Sequence, residues 1–315
     1  MKKLIIALAA ALMTAAAVSA QDLATATEAY NNGAAQLGEG NKVEALAAFK
    51  EALTMAQSLG EEGEELVANC KKVIPGLYLA IGKQLNNEKK FGEAAEQVAE
   101  AAKLAAEYGD DETAAEAADL LPKLQVSDAL FAAENNLKAK DFEAASEGYK
   151  KVLEIDPSHG VAAMRLVQSL ASAGKLDEAK EALTVAEANG KGADAAKALG
   201  NVLVGKANGA LKAKKYADAV SFAEDAAKYA SDNATVYLIA GQAASKLPNK
   251  TNTAISNFEK YLELAGSAKN AGQIAYTVGA LYQQQKNNSK ALTFYKKAQE
   301  LGYAQAAEMI KALSK

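Results

Sequence analysis

Apolar and small residues recur at helical spacing along almost the whole chain. Seven alanines mark the pattern, and in six cases a bulky residue follows four positions later. The alanines are Ala45, Ala94, Ala145, Ala179, Ala219, Ala254 and Ala291, and the bulky residues are Phe49, Val98, Tyr149, Leu183, Phe258 and Tyr295. Because residues at i and i+4 lie on one face of an α-helix, the pattern predicts seven amphipathic helices.

A small residue precedes most of these alanines by twelve positions. It is Gly33, Gly82, Ala133, Ala207 or Gly279 in five of the seven cases. Small residues on two antiparallel helices let the helix axes approach closely, and the bulky side chain then fills the adjacent groove. Each alanine is therefore predicted to lie on the second helix of a helix pair. Three positions depart from the pattern: Val167 replaces the small residue, Ala223 replaces the bulky one, and an extra residue separates Gly241 from Ala254.

The third and fourth copies are the clearest. Phe142–Pro157 reads FEAASEGYKKVLEIDP, Leu176–Leu183 reads LDEAKEAL, and their alanines are 34 residues apart. This combination resembles the tetratricopeptide repeat family. The resemblance implies an all-α fold, an α-solenoid of about seven helix pairs, with residues 304–315 as a C-terminal capping helix.

The spacing between the copies is uneven and predicts additional segments. The first three alanines are 49 and 51 residues apart, and the segments that lengthen these intervals end at Pro75 and Pro122. We expect both segments to extend the following first helix towards its N-terminus, kinked or broken at the proline. Gly190-Lys191-Gly192 predicts a looser joint between repeats 21–189 and 190–303, for which a hinge and an ordinary loop both remain open.

The N-terminus is typical of an export signal. Lys2 and Lys3 precede an apolar run over Leu4–Val18, and Val18-Ser19-Ala20 supplies the small residues of a cleavage site. The run has 15 residues, fewer than the roughly 20 that span a bilayer. Residues 1–20 are therefore predicted to be a signal peptide that is cut after Ala20, which leaves no membrane span in a periplasmic or secreted protein. An uncleaved membrane anchor is the alternative.

Composition argues against several kinds of chemistry. The net charge is −4 without a noticeable basic cluster, so nucleic-acid binding is not expected. The single cysteine, Cys70, shares a helix face with Leu66 and Ile74 and is expected to be buried, with an intermolecular disulfide as the alternative. The single histidine, His159, follows Pro157 and is expected in a capping or structural role. We expect no metal, no cofactor and no enzymatic activity.

The remaining candidate site is an inner groove. In the resembled family, first helices line this groove, and the residue after the small packing residue points into it. The resemblance thus implies a peptide-binding groove with Lys83, Asn86, Asn87, Glu134, Lys138, Gln168, Ser172, Asn208, Lys212, Gln242, Lys246, Tyr276 and Gln283 as candidates. Solvated helix positions that bind nothing would show the same polar character.

The function implied is a non-catalytic scaffold for a protein or peptide partner. A chaperone or assembly factor is one alternative, and it would favour exposed apolar groove residues, for which only Leu79, Met164 and Tyr276 are candidates. A structural subunit of a cell-envelope complex is the other alternative.

Overall fold

The computed structural model describes residues 22–314, and all regular secondary structure in this range is helical. The predicted signal peptide, residues 1–20, lies outside the described residues. Helix α1 covers residues 22–38, and a short 3₁₀ helix, Gly60–Gly63, links α2 to α3. The further helices are α2 (Lys42–Ser58), α3 (Glu64–Asn87), α4 (Phe91–Tyr108), α5 (Asp111–Lys138), α6 (Phe142–Ile155), α7 (Gly160–Ala173), α8 (Leu176–Ala188), α9 (Gly192–Lys212), α10 (Tyr216–Tyr229), α11 (Ala234–Ala244), α12 (Thr251–Leu264), α13 (Ala271–Gln284), α14 (Asn288–Glu300) and α15 (Ala306–Leu313).

Odd-numbered and even-numbered helices form seven consecutive pairs, as predicted for an α-solenoid. Each second helix, from α2 to α14, contains one of the seven repeat alanines, and all seven side chains are fully buried. The all-α fold with paired helices is therefore confirmed.

The predicted contact between small and bulky residues holds these pairs together. A Cβ atom added at Gly241 would lie 2.6 Å from Phe258 Cδ1, and one added at Gly279 would lie 2.8 Å from Tyr295 Cδ1. A Cβ atom added at Gly82 would lie 2.5 Å from Val98 Cγ2. Because a real Cβ atom does not approach this closely, the glycines are what allows the bulky side chain to pack against the opposing backbone.

The helices divide into two compact units. The first unit runs up to Ala132 and includes Glu154–Asp156, and the second contains Ala133–Leu153 and Pro157 onwards. The boundary falls inside α5. The Gly190-Lys191-Gly192 joint lies within the second unit, where Asn189 Nδ2 donates to the Pro157 carbonyl at 2.8 Å. The division of the repeats at 189 and 190 stays a prediction.

The additional segments form the first halves of long first helices. α3 has 24 residues and α5 has 28, and both run through their prolines, Pro75 and Pro122, without a break. In α3, Leu66, Cys70 and Ile74 are buried before the proline, and burial continues after it. Packing on both sides of Pro75 therefore outweighs the one backbone hydrogen bond that the proline removes.

The C-terminal helix α15 covers the end of the last pair. Ala306 is fully buried, and Met309, Ile310 and Leu313 pack against the core that α12, α13 and α14 form. An amphipathic helix at this place shields apolar surface that a further repeat would otherwise cover.

Candidate binding groove

The second unit contains a groove of about 500 Å³ between α9, α11 and α13, the first helices of the fifth, sixth and seventh pairs. The groove residues lie mainly at the C-terminal ends of α9 and α11 and in the first half of α13. They are Leu211, Lys212, Lys214, Tyr216, Gln242, Ser245, Lys246, Phe258, Asn270, Gln273, Ile274 and Thr277.

The floor of the groove is apolar and its rim offers amides. Phe258 and Ile274 are only 2% and 6% exposed, whereas Gln242 and Gln273 are exposed. The side-chain amides of Gln242 and Gln273 have no hydrogen-bond partner within residues 22–314. A carboxamide carries both donors and an acceptor, so these two side chains can hydrogen-bond the backbone of an extended peptide.

Three lysines give the groove its charge. Lys212, Lys214 and Lys246 are exposed, and none of them forms an ion pair with any residue of the described chain. Lys214 has a left-handed backbone conformation, with φ at 59°, at the turn between α9 and α10. No Asp, Glu, His or Cys lines the groove. The groove therefore presents uncompensated positive charge above an apolar floor.

This charge extends beyond the groove. Residues 233–299 contain eight lysines and two glutamates, Glu259 and Glu263, which gives the segment a net charge of +6 in a chain whose total is −4. The expectation that no basic residues cluster is therefore wrong for this segment. The signal was readable in the sequence, since no Asp or Glu occurs between Glu263 and Glu300.

The groove includes three of the predicted residues and several that the sequence reasoning missed. Lys212, Gln242 and Lys246 line it as neighbours. Spacing along each helix predicted these positions, but it does not encode how far one first helix is shifted along its axis relative to the next. On α13 the prediction fell on Tyr276 and Gln283, whereas Gln273 and Thr277 line the groove.

Two other predicted residues belong to a polar network on α5, α6 and α7. The Tyr149 hydroxyl donates to Glu134 Oε1 at 2.9 Å, and Arg165 Nη1 donates to Gln168 Oε1 at 2.9 Å. Arg165 Nε lies 3.4 Å from Glu134 Oε1 and completes the connection. Burial, followed by the hydrogen bond to Glu134, raises the pKa of Tyr149 above its ordinary value. Here Glu134 and Gln168 already have partners inside the protein.

Tyr276 and Gln283 contact the same core residue. The Tyr276 ring packs on the Tyr295 ring with centroids 5.2 Å apart, and the Tyr295 hydroxyl donates to Gln283 Oε1 at 2.7 Å. Tyr276 also packs on Tyr303 at 5.0 Å. The two residues therefore support the packing of α13 on α14, and a role in binding stays a prediction.

The other candidates do not line the groove. Lys83 Nζ forms an ion pair with Glu116 at 2.6 Å in the first unit, and the Ser172 hydroxyl donates to the Gln168 carbonyl of its own helix. Asn86 is half-buried, and the remaining candidates are exposed, namely Asn87, Lys138 and Asn208. Leu79, which a chaperone groove would need at the surface, is 4% exposed and belongs to the core.

The residues singled out for their chemistry have structural partners. Cys70 is fully buried, as its helical spacing predicted, and burial raises the pKa of its thiol to about 11. His159 is the N-cap of α7, where Nδ1 accepts a hydrogen bond from the Ala162 N–H at 3.2 Å, which confirms the capping role.

Within residues 22–314 no group of three or more His, Cys, Asp or Glu side chains is placed to hold a metal ion. The helices described here include none with the length and apolarity that a membrane span requires.

Comparison with known proteins identifies the repeat. The family model described as tetratricopeptide repeat matches residues 136–203, from the end of α5 into α9. No curated protein matches the chain.

Solved structures give weak likenesses. One is titled "Crystal structure of MamA protein", with 20% identity over 58% of this chain and 94% of that chain and a TM-score of 0.35. Another is a MamA fragment from Desulfovibrio magneticus RS-1, with 18% identity over 57% and 97% and a TM-score of 0.33. A third is YrrB, titled a TPR protein with an unusual peptide-binding site, with 21% identity over 57% and 88% and a TM-score of 0.30. At these TM-scores no property of those proteins is transferred to this chain.

The structure is an all-α protein of repeated helix pairs. The first helices of three pairs, α9, α11 and α13, line a groove large enough for a small ligand. Residues 136–203 match the tetratricopeptide-repeat model, and close contacts between a glycine and an aromatic residue recur in helix pairs outside this segment.

Proposed function

We propose that the protein is an exported, non-catalytic scaffold that binds a short acidic segment of a partner protein in the groove of α9, α11 and α13. The observation that carries the proposal is the set of three unpaired lysines, Lys212, Lys214 and Lys246, beside free carboxamides and above a floor of Phe258 and Ile274.

Each part of the groove matches one part of such a ligand. The Gln242 and Gln273 amides suit the N–H and C=O groups of a backbone, and the lysines suit carboxylates on its side chains. The apolar floor suits one apolar side chain of the ligand. A volume of about 500 Å³ lies in the range of small ligand sites, so the groove holds a short segment and not a folded domain.

Two observations support a role without catalysis. The groove lining contains no Asp, Glu, His or Cys, and Ser245 and Thr277 donate their hydroxyl hydrogens to the carbonyls of Gln242 and Gln273. Export is supported by the sequence of residues 1–20. Mass spectrometry of the purified protein tests this part: a mature chain that begins at Gln21 is expected, and a chain that keeps the apolar run would overturn it.

Site-specific photo-cross-linking tests the binding site. A photoreactive amino acid at Gln242 should trap discrete protein partners in intact cells, since this side chain is exposed at the rim of the groove. The matched control is Ser256, which is exposed on the second helix α12 and does not line the groove.

The result expected is one or a few adducts at Gln242 that are absent at Ser256, with the cross-linked partner peptide rich in Asp or Glu. Equal cross-linking at both positions, or none at Gln242, would exclude this groove as the binding surface.

A further inference from the structure

Charge is distributed very unevenly along this chain. Residues 22–132, which form most of the first unit, contain 20 acidic residues and nine lysines, a net charge of −11. Residues 233–299, which carry most of the groove, have a net charge of +6. One molecule thus carries both an acidic surface and a basic groove.

The densest acidic feature of the first unit is the turn Gly60–Glu65, which we call the acidic turn. Its four carboxylates, Glu61, Glu62, Glu64 and Glu65, are all exposed, and none forms an ion pair within the described chain. The structure therefore leaves all four available to a partner.

The acidic turn also has a fixed shape. Gly63 is buried, and a Cβ atom added to it would lie 2.0 Å from the Ala56 carbonyl oxygen, so the backbone of the turn packs directly on the end of α2. A segment that is already ordered loses less conformational entropy on binding than a flexible loop does.

The second acidic run of this unit has fewer carboxylates, and one of them is already engaged. The Asp110 carboxylate accepts a hydrogen bond from the Thr113 N–H at 3.1 Å, and Asp111 and Glu112 lie in the first turn of α5. These carboxylates stabilise the start of a helix. Glu64 and Glu65 likewise lie in the first turn of α3, but the acidic turn carries more carboxylates and none of them accepts a capping hydrogen bond there.

We propose that the acidic turn of a second copy of this chain binds in the lysine groove, so that the protein self-associates head to tail. The proposal rests on the proposed function, because it uses the same groove and names a partner for it. Charge complementarity carries it: unpaired Glu61, Glu62, Glu64 and Glu65 face unpaired Lys212, Lys214 and Lys246 across the interface.

A head-to-tail interface of this kind does not by itself produce a closed dimer. Two different surfaces meet, so each bound pair still has one free acidic turn and one free groove, and further copies can add. The mean size of the assembly should therefore rise with protein concentration and fall with salt, because exposed charges are screened.

Sedimentation velocity of the full mature protein over a concentration series tests this proposal. The groove variant is Lys212→Glu with Lys246→Glu, and the turn variant is Glu61→Lys with Glu64→Lys. The combined variant carries all four changes and keeps the wild-type net charge. The control is Lys296→Glu with Lys297→Glu, since these lysines of α14 do not line the groove and form no ion pair in the described chain.

We expect the wild type and the control to associate, and the groove and turn variants each to weaken association at least tenfold. The combined variant should recover it, because the charges are again opposite. Circular dichroism melts that match the wild type show that each variant is folded.

The outcomes separate this inference from the proposed function. A wild type that stays monomeric, or that associates equally in all variants, overturns head-to-tail association. Cross-linking of another protein at Gln242 then still supports the proposed groove, whereas a monomer without any cross-linked partner overturns both.

Discussion

The guanidinium of Arg165 lies across from the carboxylate of Glu134, with Nε 3.4 Å from Oε1, and joins α7 to α5. Arg165 is the single arginine of the chain. Glu134 Oε1 also accepts the hydrogen bond from Tyr149, so the pair connects three helices of the second unit.

Replacing this arginine should destabilise the second unit modestly. The two side chains are 34% and 36% exposed, so solvent screening limits the expected loss for Arg165→Met to about 1 kcal/mol in the free energy of unfolding. Urea denaturation measures it. In a double-mutant cycle with Glu134→Gln, a coupling of about 0.5 kcal/mol is expected, and strictly additive effects would show that the pair contributes nothing.

A methyl group at Gly241 should destabilise the sixth helix pair. The new Cβ would lie 2.6 Å from the buried Phe258 ring, so Gly241→Ala is expected to cost about 1–3 kcal/mol through overpacking. Gly205→Ala is the matched control, because Gly205 lies inside α9 with nothing within 4 Å of its Cβ position. The control should gain about 0.5–1 kcal/mol from helix propensity. Equal effects of the two changes on thermal unfolding would contradict the packing described for Gly241.

The Cys70 thiol should resist labelling in the folded protein. It is fully buried with a pKa of about 11, so its thiolate fraction at pH 8 is about a hundredfold smaller than that of an ordinary cysteine. Titration with a thiol reagent should give one thiol in urea and almost none in buffer. Rapid labelling in buffer, or a disulfide-linked dimer on a non-reducing gel, would contradict this burial.

Tyr282 should make stability depend on pH in the alkaline range. Burial, followed by its hydrogen bond to Glu259 Oε1 at 2.7 Å, raises the pKa of Tyr282 to about 12. Because the folded-state pKa lies above the unfolded value near 10, this contribution is complete below pH 10 and is lost as the pH rises towards 12.

The variant Tyr282→Phe isolates this effect. At pH 9 the wild type should be more stable than the variant by about 1 kcal/mol, the usual net contribution of a hydrogen bond. Urea denaturation between pH 9 and pH 11.5 should show that advantage shrinking. An advantage that grows with pH would refute the stated direction of the pKa shift.

The sequence predicted the parts of the fold that depend on spacing within one helix pair. The Gly241–Phe258 contact follows from such spacing, even across the extra residue before Ala254, because a glycine and an aromatic residue at fixed distances determine how two adjacent helices pack. The continuity of α3 through Pro75 was not decided by local sequence, because burial on both sides of the proline is a property of the packed structure.

Prediction of the groove from the sequence meets the same limit. Lys212, Gln242 and Lys246 were predicted from the spacing within single helices, but Gln273 was missed because its place in the groove depends on how α11 and α13 pack side by side. The lack of acidic residues from 264 to 299 would have drawn attention to this region, and only the structure shows which lysines there stay unpaired.

Fluorescence anisotropy with a labelled hexaglutamate peptide tests most directly whether the groove of α9, α11 and α13 binds acidic segments. The wild type should bind this peptide and not hexaglutamine, with an affinity that falls as salt is added. The pair Lys212→Ala and Lys246→Ala should weaken binding at least about tenfold, or 1.4 kcal/mol, whereas Lys296→Ala with Lys297→Ala, equal in net charge, should not. Equal binding of both peptides, or equal loss in both lysine variants, would contradict the account.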